Sequence, residues 1–470
     1  MIAGPLFLIG FPLAMVPIVY LLRRWETVAA LLSAATTAIV AWVCIRLPLD
    51  RPAWMWGHVI DLSRTVQVLG RELALLRTGR LTIAFVFGVA TILFLFARWI
   101  SQGRSFFPLG LLILSLLNGV ILIQHPLFSV LLLAMAALVA VFIIQGGRLG
   151  STRGAIRYLT STVLGFPFLL GSVWLIDQYA LNPDDLSLAH LATLLLALGF
   201  AILLGAVPFH GWVPAVAAEA PSLVAAFIFT VVNAVVLFEI FDFLGGYPWL
   251  AESPRFFWVL RMAGLAMVVW GGLCASFQRD FGHLFGYAAL NDMGWVLASL
   301  GMTSPLGLTV ALWQLACRTV AVVMGAMGLA VVRHHAQGDA FAQLGGVARR
   351  LPFSVAGLIL GGLSLVGLPF TIGFPSRWVA LDLMAGHLPA KPGIGWALLL
   401  LASGGVAMGY LRGLYALLGP SADADIEPEL ISTSIMISFA IALCLALGLR
   451  PQPLLRYIRG IAENLRFFPP

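Results

Sequence analysis

The chain reads as long apolar runs separated by short polar punctuation. Runs of spanning length begin near residues 3, 27, 80, 108, 126, 155, 186, 221, 256, 284, 306, 352, 393 and 431. About 20 apolar residues in a helix cross the hydrocarbon layer of a bilayer. The pattern therefore predicts an all-α membrane protein of about 14 transmembrane helices. Residues 1–453 are expected to form a single transmembrane domain. Its longest polar interval, 46–80, is the size of an extramembrane hairpin or short surface helix. In 454–470, Leu454, Ile458, Ile461 and Leu465 recur at helical spacing, with Arg456, Arg459 and Arg466 off that stripe. That pattern predicts an amphipathic C-terminal tail on the membrane surface.

Composition sharpens the picture. Charged residues make up 10% of the chain and apolar residues 61%, against about 25% charged in a soluble domain. The net charge of +7 is spread singly or in pairs between apolar runs, so it signals topology and not nucleic-acid binding. Cys44, Cys274, Cys317 and Cys444 are scattered within apolar runs, with neither metal-ligand spacing nor a disulfide framework. No basic residue precedes the first apolar run, while Arg23 and Arg24 follow it, which suits a first span that stays in place. The single lysine is Lys391.

The loops after spans 1, 3, 5, 9 and 11 carry Arg23, Arg24, Arg98, Arg104, Arg148, Arg153, Arg279, Arg333, Arg349 and Arg350, and the opposite loops carry almost none. The positive-inside rule puts that face in the cytoplasm, and an even number of spans then leaves both termini outside. The 46–80 loop and the tail are basic yet outside in this arrangement.

Two spans are punctuated. Pro208 and Pro214 flank His210 in one, and Pro369 and Gly373 interrupt the other, before Arg377. A simple proline kink accounts for either alone. Two such breaks, each beside an ionisable residue, point to a wet path through the bundle.

No P-loop, dinucleotide fingerprint, metal-ligand pair or nucleophile elbow occurs, so no catalytic site, metal or cofactor is expected. What remains is charge at membrane depth, costly and functional by default. The proton or ion path candidates are His210, Glu219, Asp292, Arg318, Arg377 and Asp382. Their bland reading is ion pairing: Asp292 with Arg318 between neighbouring spans, or Arg377 with Asp382 along one helix. Glu239 and Asp242 read as the end of a span, and Arg157 as an interfacial snorkelling residue.

Four phrases carry a resemblance: "AIRYL", "VPFHGWVPAVAAEAPSLVAAF", "LFGYAALNDMG" and "FAQLGGVARRLPFSVAGLILGGLSLVGLPFTIGFPSRW". In order and spacing they resemble the antiporter-like membrane subunits shared by respiratory complex I, membrane-bound hydrogenases and multisubunit cation/proton antiporters. The resemblance implies two inverted repeats, each with a broken helix, and a place among other membrane subunits with at least one soluble catalytic chain. It also implies a buried relay of glutamate, lysine and histidine. Here the relay positions depart from the family: no glutamate in 126–145, Leu203 and Asn233 where lysines are usual, Asp292 for a histidine, and Gln314, Arg318 and Arg377 further on. Arginine stays charged at accessible pH, so a lysine-type relay is not available.

The expected function is a non-catalytic membrane subunit of a multisubunit proton-translocating redox complex, NADH:quinone oxidoreductase-like or hydrogenase-like, or of an ion or inorganic-carbon uptake complex, with a degenerate proton channel of its own. A stand-alone transporter of a small anion and a purely structural scaffold are the alternatives. The expected location is a bacterial inner membrane. Reporter fusions after Leu22 and within 148–153 should both read as cytoplasmic; a periplasmic signal at both overturns the topology.

Overall fold

The computed structural model describes residues 2–49, 53–55, 58–68, 70–146, 151–385, 392–420 and 427–465. Arg148, Lys391 and Arg466 lie outside the described residues. The first half of the bundle contains α1 (Gly4–Leu21), α2 (Glu26–Arg46), α3 (Arg77–Ala97), α4 (Phe106–Leu122), α5 (Pro126–Gln145), α6 (Arg153–Leu181), α7 (Leu186–Leu203), α8 (Trp212–Glu219), α9 (Ser222–Phe227) and α10 (Asn233–Gly246). A one-turn helix, α11 (Pro248–Ala251), leads to α12 (Pro254–Ser276), α13 (Phe281–Leu300) and α14 (Pro305–Ala336). After the short α15 (Val347–Arg350) come α16 (Pro352–Val366), α17 (Gly373–Ala385), α18 (Pro392–Leu418), α19 (Ile431–Leu449) and α20 (Gln452–Asn464).

Among the described residues, eleven helices are long and apolar enough to cross a bilayer unaided. The shorter α4 and α16, and the more polar α13, are crossings supported by neighbours, which gives fourteen spans. Two of these are broken: α7 with α8, and α16 with α17. The broken spans are seventh and twelfth in order, five apart. An odd number of crossings reverses direction, so matching five-span units are inverted with respect to one another. The eighth span, α9 to α10, runs through a π-helical stretch at Ile228–Val232 and is buried in the protein along most of its length, with Asp242 and the end of α10 exposed.

Backbone chemistry explains the breaks. Gly205 follows α7 with φ of 80°, and Gly367 follows α16 with φ of 83°. Only glycine adopts this left-handed conformation at little cost, and it ends a helix by turning the chain away from the axis. Pro208 and Pro369 then keep both stretches from returning to helix. Pro214 does something else. It sits in the first turn of α8, where a missing N–H costs nothing, so it helps to start that helix and does not break one. Gly373 likewise opens α17.

The segment between α2 and α3 holds short strands, an addition to the all-α expectation. Ala53–Met55 pairs antiparallel with His58–Asp61, which pairs parallel with Ile2–Ala3 at the chain start, and Val66–Val68 pairs with Arg71–Leu73. Alternating sequence such as "HVID" suits a strand better than a surface helix.

At Gly367 an added Cβ would lie 3.0 Å from the Arg377 Cβ. Gly367→Ala should therefore cost about 1–2 kcal/mol from the left-handed backbone alone and displace Arg377. The check is a lower thermal midpoint in detergent; an unchanged midpoint would show that the break does not depend on this glycine.

Candidate functional site: a buried charge cluster

Asp292 stands in α13, Arg318 in α14 and Arg377 at the start of α17. All three are buried, at 6%, 2% and 5% exposure. The apolar runs around them put Asp292 and Arg318 on facing sides of adjacent spans, and the second break turns Arg377 in from a third direction. Arg318 Nε donates to Asp292 Oδ2 at 2.9 Å, and Arg377 Nη2 donates to Asp292 Oδ1 at 2.7 Å. One carboxylate thus serves two guanidinium groups, each on its own oxygen.

Two cations against one anion leave a formal excess of +1 in the dry interior. Backbone carbonyls and an aromatic face offset it. Arg318 Nη1 donates to Phe229 O at 2.6 Å and Nη2 to Ala289 O at 3.2 Å. Arg377 Nη2 also donates to Leu365 O, and its guanidinium carbon lies 4.7 Å from the centre of the Trp295 ring. Phe229 lies in the π-helical stretch, where the shifted bonding pattern gives carbonyls room for a side-chain donor. Leu365 is in the last turn of α16, where carbonyls lack intrahelical partners. The irregular backbone therefore supplies part of the negative potential that holds the arginines. Arg377 Nη1 is buried without a hydrogen-bond partner.

The other candidates stand apart from this cluster. His210, half-buried at the first break, accepts through Nε2 from Trp270 Nε1 at 2.7 Å, and its Nδ1 has no partner. Glu219 Oε2 accepts from the backbone N–H of Gly154 at 2.7 Å. Gly154 is in the first turn of α6, so Glu219 places negative charge where a helix end favours it. Asp382 is exposed and makes no ion pair among the described residues, so the pairing of Arg377 with Asp382 is not formed. Five residues put the two side chains on different helix faces. Arg157 is exposed, as a snorkelling residue would be.

Two residues gained weight only in three dimensions. Glu239 is not a span end but a fully buried carboxyl at 1% exposure, accepting from Ser129 Oγ at 2.9 Å with Oε1 unpartnered. Its signal in the sequence was an acid six residues beyond Asn233, still inside an apolar run. Arg333 does more than mark a basic loop. It pairs with Asp339 at 2.5 Å and donates to the carbonyls of Ala217, Ala218 and Ala220, which end α8. Nothing local in "VVRHHAQGDA" announces that reach.

At the positions where the family relay has lysines, Leu203 and Asn233 are buried, at 6% and 5% exposure. Gln314 accepts from Ser299 Oγ at 3.0 Å. Among the described residues no group of three or more His, Cys, Asp and Glu side chains is placed to hold a metal ion.

Inverted units of five spans, each with one broken helix and an ionisable residue beside the break, define an antiporter-like membrane subunit. The sequence profile of the NADH:quinone oxidoreductase/Mrp antiporter transmembrane family matches residues 127–402, and the chain belongs to that family. It is similar to NADH-quinone oxidoreductase subunit N 2 of Acidobacterium capsulatum, with 30% identity over 66% of this chain and 67% of that one. Subunit N of Deinococcus radiodurans is 27% identical over 65% of this chain and 62% of its own length. The fold of the whole chain matches a subunit of the Mrp complex from Dietzia sp. DQ12-45-1b (TM-score 0.81, 17% identity, covering 98% and 97% of the two chains). It also matches a chain of respiratory complex I from Thermus thermophilus (TM-score 0.78, 19% identity, 99% and 100%). As a member of this family the protein is an integral membrane subunit of a proton-translocating assembly.

Removing one partner of a buried pair costs about 3–5 kcal/mol. Asp292→Ala strands two buried cations and should abolish stable accumulation of the subunit. Arg377→Lys keeps a cation against Asp292 and should be tolerated. Accumulation in the membrane and thermal midpoints in detergent check both; equal stability of Asp292→Ala and the wild type would remove the cluster from the list of things that hold the bundle together.

Proposed function

We propose that this chain is a membrane subunit whose second half holds a fixed charge cluster in place of a working proton relay, within a complex whose redox chemistry belongs to other chains. The observation that carries the reading is the double arginine on Asp292. A relay group must take up and give back a proton at accessible cost. A guanidinium does not. Arg318 directs its hydrogen bonds at Asp292 and two backbone carbonyls, all fixed acceptors, so it sets a field. The relay is also interrupted in the first half by Leu203 and Asn233, which carry no proton.

By this reading the subunit receives and passes on a mechanical or electrostatic signal from its neighbours, and fills its position in a membrane arm beside at least one soluble catalytic subunit. Similarity to NADH-quinone oxidoreductase subunit N favours a redox complex of that kind over a hydrogenase-like or inorganic-carbon uptake complex. The setting is a bacterial inner membrane with both termini outside, supported by the bacterial relatives and by the arginine asymmetry of the short loops.

A second reading, a stand-alone transporter of a small anion, is favoured by one observation: the unpartnered Nη1 of buried Arg377. Uptake of anion by vesicles holding this chain alone would establish it.

In vesicles holding the intact complex, Asp292→Asn should leave proton movement per catalytic turnover unchanged, provided the complex assembles. Loss of proton movement with assembly intact would make Asp292 a proton carrier and overturn the fixed-cluster reading.

A further inference from the structure

The bundle contains a cavity of about 800 Å³ that is remote in chemistry from the charge cluster. It lies where α2 ends and α3 begins, and runs inward along α14 beneath α20. This volume is within the roughly 300–1,000 Å³ typical of small-molecule sites. Its depth is apolar: Leu312, Leu315, Ala316 and Val320 of α14 form one wall and Ile372 of the second break another. Its charged residues, Arg77 and Arg80, lie with Thr78 at the first turn of α3, Thr82 and Tyr457 are further polar residues of the lining, and among the described residues no acidic one contributes.

The two arginines are not equivalent. Arg80 is committed to the protein, donating to the carbonyl of Cys44 and, at 3.0 Å, to that of Ile45, which end α2. Arg77 is exposed and makes no hydrogen bond or ion pair among the described residues. Over the apolar part lies α20, with Ile458 buried at 3% and Arg456 and Arg459 turned outward. A helix with that distribution lies at the boundary between head groups and acyl chains.

We propose that this cavity binds one anionic phospholipid, its phosphate at Arg77 and Thr78 and an acyl chain along α14 towards Ile372. The shape of the chemistry selects the occupant. A zwitterionic lipid brings a cation along with its phosphate and so leaves the charge of Arg77 uncompensated in sum, and free phosphate leaves the apolar depth unfilled. A spanning helix from a neighbouring subunit brings terminal carbonyls to an arginine at one end but no full negative charge. A guanidinium and a hydroxyl both donate to phosphate oxygens, the former with the strength of a charge-assisted bond. The site also has a structural consequence. The acyl chain would pack on the helix that carries Arg318 and on the turn that precedes Arg377, and so support the backbone on which the cluster is built. The proposal does not depend on whether that cluster conducts protons.

The test uses the protein purified in detergent and relipidated with phosphatidylglycerol or phosphatidylcholine, with thermal midpoint and retained lipid as readouts. Phosphatidylglycerol should raise the midpoint more than phosphatidylcholine does. Arg77→Gln, an exposed change, should weaken phosphatidylglycerol retention about fivefold, the worth of one basic residue near an anionic lipid, and should remove most of the difference between the two lipids. Inorganic phosphate should have no effect. An equal response to the two lipids, or a preference that survives Arg77→Gln, overturns the proposal. In the intact complex, a photoreactive residue in place of Leu454 should label lipid, and an adduct with a neighbouring subunit there would also overturn it.

Discussion

Inside a bilayer no water is at hand to solvate a charge or an interrupted backbone, and each must find its partner within the protein. In this bundle the two demands answer one another. Breaking the twelfth span frees carbonyls at the end of α16, and the π-helical stretch in the eighth span turns out another. Arg377 and Arg318 take up those carbonyls with the donors that Asp292 does not use. The excess cation is thus held by oriented backbone dipoles as well as by a carboxylate. Straightening either irregular helix would leave an arginine short of acceptors, and removing an arginine would leave carbonyls exposed. Five helical segments, α10 with its π stretch, α13, α14, α16 and α17, are joined through this exchange.

The same arrangement separates this chain from a lysine relay. A buried ammonium shifts its pKa by several units with small changes in surroundings, whereas a guanidinium does not lose its proton. Two arginines on one aspartate, each held by further backbone acceptors, are the arrangement on which the proposed fixed cluster rests. Among the described residues of the first half the one fully buried carboxyl, Glu239, has a hydroxyl for a partner and no cation, and Leu203 and Asn233 stand between the two regions in the order of the relay. Charge in this chain is concentrated at one break instead of being spread along the membrane plane.

The first break is organised differently. Its lone imidazole, His210, bonds to Trp270 at the side of the bundle. The segment after it is fixed at its far end by Arg333, which gathers the terminal carbonyls of α8, while Glu219 closes the N-terminus of α6. Two residues that sequence pattern assigned to a loop and to an ion path thus do the same job. Each satisfies backbone groups at a helix end that would otherwise face the interior unpaired.

Spans, breaks and family were legible in the chain itself, because hydrophobic length, glycine and proline act locally and leave local marks. The span starts near 108, 186 and 352 and the interruptions before His210 and Arg377 needed no knowledge of neighbours. The unsuitability of arginine for proton transfer was equally intrinsic to the residue. Partnership was not. Asp292 had two arginines and Arg377 had two aspartates to choose from, and only the crossing of α13, α14 and α17 decided that Asp292 takes both arginines while Asp382 faces outward. Glu239 looked like the end of a helix until α5 was seen to cover it. The His58–Asp61 strand of the 46–80 segment takes a further partner, Ile2–Ala3, from the other end of the first hairpin. The carbonyls that complete the charge cluster carry no signal in residue type at all. Which backbone oxygens become free, and which cation reaches them, depends on packing between segments up to 89 residues apart, and distances of that kind are set by the tertiary fold alone.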